Sequence, residues 1–162
     1  MTSELWDIYD ENMEKTGDTF SEGTSLPHGQ YGYIVHIIIR NKSNRYLIQQ
    51  RSLSKKWYPG QWDATCGRVQ AGESVLEGAV REVWEELGIL TSAEQYRLLY
   101  HSIYKNSCLL DIFLLEADFT ENDCKLDKNE VEQIKLVAYD EMLSLLRTSK
   151  DEEYLSALYK IR

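Results

Sequence analysis

The stretch from Gly67 to Ile89, GRVQAGESVLEGAVREVWEELGI, constrains the fold more than any other part of the chain. It combines a turn, a helix start, a helix stop and a cluster of acids. Ser74, followed three residues later by Glu77, has the spacing of a capping box, in which each side chain satisfies a backbone N–H near the other. Gly88 stands where a glycine ends a helix in the left-handed conformation. Between them Val75, Leu76, Ala79, Val80, Val83, Trp84 and Leu87 recur at helical spacing and predict one broad apolar stripe. Glu82, Glu85 and Glu86 lie three and four apart, which places them on a neighbouring face. Like charges at that spacing repel, so a compensating charge is expected, and a hard divalent cation with oxygen ligands is the natural candidate. The simpler alternative is the solvated face of an ordinary amphipathic helix. Gly78 falls among these acids and costs about 1 kcal/mol relative to alanine in mid-helix. A closely approaching loop or ligand would account for it, and so would simple tolerance.

The rest of the chain fits one α/β domain spanning residues 1–162. Hydrophobic residues make up 43% and charged residues 28%, as in globular proteins. The net charge of −9 argues against a nucleic-acid surface, and it would repel a polyanionic substrate unless local cations offset it. Cys66, Cys108 and Cys124 form neither a zinc pattern nor a disulfide framework, which suggests a reducing cytoplasm. The N-terminus lacks a basic-then-apolar leader, and no apolar run approaches the ~18 residues of a membrane helix. A homodimer is left open.

In order, residues 1–30 read as a small hairpin and a loop, with a turn over 11–17 and a return strand near Thr19–Phe20. Tyr31–Ile39 is apolar on both alternating faces, as in a doubly buried strand, and Arg45–Arg51 completes a hairpin with it. His36 on such a run is either a buried, hydrogen-bonded histidine or a ligand. Ser52–Trp62 is a loop holding Lys55, Lys56, Trp57 and Tyr58. It is either plain surface or a substrate rim offering charge to phosphate and a stacking face. Asp63–Arg68, Tyr96–Tyr104, Cys108–Ala117 and Glu132–Ala138 read as strands, and residues 139–147 and 152–161 as helices, the second capped by Asp151. Strands alternating with helices around a mixed sheet indicate an α/β layered domain.

Gly67, Glu73, Arg81, Glu82, Val83, Glu85, Glu86, Gly88 and Ile89 occupy every specified position of the Nudix signature, so the chain resembles the Nudix hydrolases. That resemblance implies the Nudix fold, a mixed β-sheet sandwiched between α-helices, with Mg²⁺ or Mn²⁺ as cofactor and attack of water on a diphosphate in a small molecule such as a nucleoside diphosphate derivative. It further implies Glu82, Glu85, Glu86 and the Gly67 carbonyl as metal ligands, Glu85 and Glu86 as catalytic, and a bracing pair of Glu73 with Arg81. Glu86 lies at the edge of the apolar stripe, which would raise its pKa. Since relatives differ in their base, Glu130 and Glu132 in the later loop stay in play.

The run QQRSLSKKWYPGQWDATCG, residues 49–67, is similar to the branch that holds isopentenyl-diphosphate isomerases and related hydrolases. It implies that Arg51 and Lys55 hold the substrate diphosphate. Those isomerases carry a cysteine placed like Cys66, and a metal-binding histidine where this chain has Arg68. The changed histidine and the complete acid set favour a hydrolase over an isomerase. A non-catalytic sensor of nucleotide derivatives is the third reading.

Overall fold

The computed structural model describes residues 4–162; residues 1–3, which belong to the expected N-terminal segment, lie outside that description. The strands are β1 (Trp6–Tyr9), β2 (Lys15–Phe20), β3 (Gly32–Asn41), β4 (Tyr46–Arg51), β5 (Trp62–Asp63), β6 (Thr65–Arg68), β7 (Tyr96–Tyr104), β8 (Cys108–Ala117) and β9 (Val131–Val137). The helices are α1 (Val75–Leu87), α2 (Tyr139–Leu146) and α3 (Glu152–Leu158).

The apolar run in β3 lies at the centre of the larger sheet. It pairs in parallel with β8 from Gly32↔Cys108 to Asn41↔Ala117, while the other pairings are antiparallel. The sheet runs β5-β4-β3-β8-β7, with β6 also on β3 and β9 also on β4. Helix α1 covers one face, where Ala79, Val83 and Leu87 meet Val35, Ile37, Leu109 and Phe113. Helices α2 and α3 cover the other, where Met142, Leu146, Leu155 and Leu158 meet Ile38, Ile48 and Ile112. The result is the expected mixed sheet between helices.

Several boundaries shift from the sequence reading. The β3–β4 hairpin holds for only two register pairs, Ile39↔Leu47 and Arg40↔Tyr46. Beyond them β6 takes over the edge of β3 and β5 the edge of β4, while β9 pairs with the other edge of β4 throughout, so the strands part. This opening places the start of the signature beside the end of β4. The expected strand over Asp63–Arg68 breaks at Ala64. The N-terminal turn is tighter than 11–17, with Met13 in the left-handed region at φ 64, so β2 begins at Lys15. The last helix ends at Leu158 and continues as a 3-10 turn to Ile161. Trp84, expected within the buried stripe, is 55% exposed: the core side of α1 is narrower than the apolar pattern. His36 is buried and hydrogen-bonded to the Tyr154 hydroxyl at 3.1 Å, and burial lowers its pKa to about 4, so it serves as a neutral core residue.

Candidate active site

Helix α1 begins and ends as its sequence dictates. The Ser74 hydroxyl accepts from Glu77 N–H at 3.2 Å, and the Glu77 carboxylate accepts from Ser74 N–H at 2.7 Å. Gly88 closes the helix at φ 68. A Cβ there would also lie 2.8 Å from Lys125 Cβ, because the loop after β8 crosses the helix end. Lys125 N–H donates to Leu87 O at 2.7 Å and Asp127 N–H to Glu86 O at 3.1 Å. These bonds satisfy helix-end carbonyls and deliver Asp127 and Glu130 to the same cleft as α1. Gly78 is explained by a loop: a Cβ would sit 3.3 Å from both Val69 Cγ2 and Glu73 Oε2.

Arg81 braces the signature from inside. Its Nε donates to Glu73 at 2.7 Å, one terminal nitrogen donates to Arg68 O at 2.8 Å, and the other donates to Glu82 at 2.8 Å and Glu85 at 2.9 Å. Burial pushes the Glu73 carboxyl up, but the Arg81 bond and Gln70 N–H outweigh it and hold the group below its usual range. Gly67 faces this cluster. A Cβ on Gly67 would fall 1.9 Å from Glu82 Cδ, so the strand can carry no side chain where the Glu82 carboxylate lies.

The acids differ in environment. Glu85 is 45% exposed, whereas the Glu82 side chain is 12% exposed. Burial pushes Glu82 up to about 7, against the pull of Arg81. Glu86 is 5% exposed, and burial, with repulsion from Glu82 and Glu130, raises it to about 8 against a hydrogen bond from Gln49. That bond is 2.8 Å long, and Thr65 donates in turn to Gln49 Oε1 at 2.8 Å. The sequence reading passed over Gln49 and Thr65. The available signal was the Leu47-Gln49-Arg51 alternation, which puts a polar residue on the α1 face.

The basic side comes from β4 and the loop after it. Arg51, Lys55, Trp57 and Tyr58 line one cleft of about 970 Å³ together with Glu82, Glu85, Glu86 and Gly67. Arg51 Nε donates to Trp57 O at 2.7 Å, folding the loop back on its stem. Ser52 N–H donates to Glu130 O at 2.8 Å, and Lys55 forms an ion pair with the Glu130 carboxylate. Glu130 therefore lines the cleft, but Glu132 does not. Glu132 falls in the register irregularity between Gln50↔Gln133 and Arg51↔Val131, which breaks the alternation that would have aligned the two acids. Cys66 also lines the cleft. Burial, and then the charges of Asp63 and Glu86, push its thiol well above the ordinary value.

Among the described residues no three acidic, histidine or cysteine side chains already converge on one point as metal ligands. Instead the Arg81 guanidinium bridges Glu82 and Glu85. The donor set nonetheless fits a hard cation: it is oxygen only, and the buried Glu86 carboxylate makes no ion pair among the described residues.

Fold and cleft together define a class: a mixed-sheet α/β sandwich whose loop–helix motif presents acids beside a basic loop. The NUDIX domain profile matches residues 30–158, and the chain belongs to the Nudix family. It is 34% identical over 147 residues to an uncharacterized Nudix hydrolase of Listeria monocytogenes, covering 90% of this chain and 86% of that one. It is also 34% identical over 89 residues to an isopentenyl-diphosphate Delta-isomerase of Streptomyces avermitilis, covering 54% of this chain and 45% of that one. The crystal structure of DR0079 from Deinococcus radiodurans superposes with a TM-score of 0.76 at 21% identity, covering 97% of this chain and 98% of that one, and shares the fold. No helix among the described residues is long and apolar enough to cross a membrane.

Proposed function

We propose that the chain is a diphosphohydrolase that cleaves the diphosphate of a nucleoside diphosphate derivative by attack of water. One observation carries the reading: the complete acid set of α1 shares a single cleft with Arg51 and Lys55. A diphosphate is inert because its anionic oxygens repel a nucleophile, so its cleavage needs charge neutralisation and a positioned water. Mg²⁺ or Mn²⁺, held by Glu82, Glu85, Glu86 and the Gly67 carbonyl, would supply that neutralisation and lower the pKa of water. Arg51 and Lys55 bind the phosphate oxygens through charge-assisted hydrogen bonds. Lys55 also pairs with Glu130, and its ammonium has further N–H donors to offer a phosphate. Glu86 would accept the proton: it lines the cleft, and Gln49 orients one of its oxygens at 2.8 Å. Trp57 and Tyr58, both exposed on the rim, offer a stacking face to a base.

The isomerase reading is favoured by Cys66 on the cleft and by the isomerases among the relatives. Its weakness is a thiol pushed up by burial, which resists giving up its proton. A phosphate-release screen separates the two. Nucleoside diphosphate derivatives, dinucleoside polyphosphates and isopentenyl diphosphate are incubated with and without Mg²⁺. Mg²⁺-dependent cleavage of a nucleotide derivative is the expected result. Allylic isomer formed from isopentenyl diphosphate, or no cleavage of any compound, would overturn the proposal.

A further inference from the structure

The cleft contains a third cation that the proposed chemistry leaves idle. Arg68 ends β6, immediately after Gly67, and lines the cleft with Trp6 and Phe20 of the N-terminal hairpin. Its guanidinium lies 4.7 Å from the Trp6 ring centroid and 5.8 Å from that of Phe20. The two rings meet edge to face at 5.3 Å and come from register partners in β1 and β2. Gly32 makes room for the stack: a Cβ there would lie 2.6 Å from Phe20 Cζ and 3.0 Å from an Arg68 terminal nitrogen. Such a mount fixes the plane of the guanidinium while leaving its donors uncommitted.

Those donors have no carboxylate or hydrogen-bond partner among the described residues; only the Arg68 backbone carbonyl is engaged, by Arg81 at 2.8 Å. Arg68 is thus an exposed, uncommitted cation on the cleft wall, in a chain of 27 acids against 18 Lys and Arg. Trp6 adds a second unmatched donor to this wall: its indole N–H is buried without a partner among the described residues. The Arg68 guanidinium, by contrast, is exposed on the cleft wall and open to an acceptor that a ligand supplies. The hairpin precedes residue 30, where the family match begins, while Arg68 and Gly32 lie within the match.

We propose that Arg68 binds an anionic group carried by the substrate beyond the diphosphate that is cleaved, and that the β1–β2 hairpin holds it ready. The substrate class is then a diphosphate bearing a further phosphate. Arg51 and Lys55 engage the phosphates from β4 and its loop, and Arg68 engages the additional anion from the end of β6. This inference rests on the hydrolase reading above.

The test is calorimetric titration with inorganic diphosphate and inorganic triphosphate at one free Mg²⁺ concentration. The two probes differ by one anionic group. The wild type should bind triphosphate more tightly. Arg68→Gln should weaken triphosphate at least tenfold and diphosphate less than threefold. Phe20→Leu, which keeps the charge but loosens its mount, should weaken triphosphate by a smaller factor, with thermal melts confirming that each variant folds. If Arg68 were only a packing element, Arg68→Gln would lower stability and affect both probes alike. Equal losses, or unchanged triphosphate binding, would overturn the assignment while leaving the hydrolase reading intact. A wild type that binds neither probe would remove the hydrolase reading itself.

Discussion

Glu86 is 5% exposed, while Tyr58 on the rim of the same cleft is 71% exposed and Trp57 is 60% exposed. The acid side is fixed from several directions at once. Gln49 and Thr65 hold Glu86, Arg81 ties Glu73, Glu82 and Glu85 together, and Gly67 gives up its side chain to the Glu82 carboxylate. The basic loop rests on its stem through the Arg51 bond to Trp57 O and the Ser52 bond to Glu130 O. Its aromatic residues face solvent, and Tyr58 adopts the left-handed region at φ 54. The difference teaches a division of labour. On the proposed reading, groups that meet developing charge are preorganised by burial, and groups that meet the variable part of a substrate are left adjustable.

The largest effects should follow from breaking the acid side. Glu85→Gln and Glu86→Gln should each lower turnover by about 100-fold or more at saturating Mg²⁺, with the fold retained. Glu86→Gln should be the more damaging, because it removes the proposed proton acceptor as well as a proposed metal ligand. Near-normal kcat in both variants would remove the site assignment. Gly67→Ala should come next. Its Cβ cannot coexist with the Glu82 carboxylate, and overpacking of this kind costs about 1–3 kcal/mol. Calorimetry should show Tm lower by about 5 °C, together with reduced turnover. An unchanged melt would show that Glu82 has room to move.

Substitutions in the basic loop sharpen the contrast from the other side. Arg51→Ala and Lys55→Ala should raise KM by about tenfold, equivalent to about 1.4 kcal/mol, and change metal affinity little. Initial-rate kinetics at several Mg²⁺ concentrations separates the two quantities. Unchanged KM in both variants would mean that the phosphates are held elsewhere.

The features legible in the sequence are those decided within one or two turns of chain. The Ser74–Glu77 box, the Gly88 stop and the Asp151 cap follow from short-range hydrogen bonding, and each forms as expected. The Glu73–Arg81 pair, eight residues apart, was legible through the family signature. What was not legible depends on strands that part and loops that return. The opening of β3 from β4 requires β6 and β5 to take those edges, and no local pattern records that competition. Gln49 and Thr65 become the support of Glu86 only once that opening exists. Trp84 reads as core by periodicity, yet periodicity does not say how wide a stripe the sheet will cover. Glu132 looked equivalent to Glu130 until a register irregularity separated them.

The central claim is that the buried acids of α1 await a divalent cation. The direct measurement is the melting temperature of the metal-free protein across pH, with and without added Mg²⁺. Folding lifts Glu82 to about 7 and Glu86 to about 8 from the ordinary value of 4.5. Their protonated forms therefore stabilise the fold below pH ~4.5, and that contribution is lost as pH rises through about 7 to 8. The metal-free Tm should fall over this window, and Mg²⁺ should restore it by binding only the folded carboxylates. At pH 8 the wild type should gain several degrees with Mg²⁺, and Glu86→Gln should gain little. A Mg²⁺ shift of the same size in both proteins, or none in the wild type, would contradict the account.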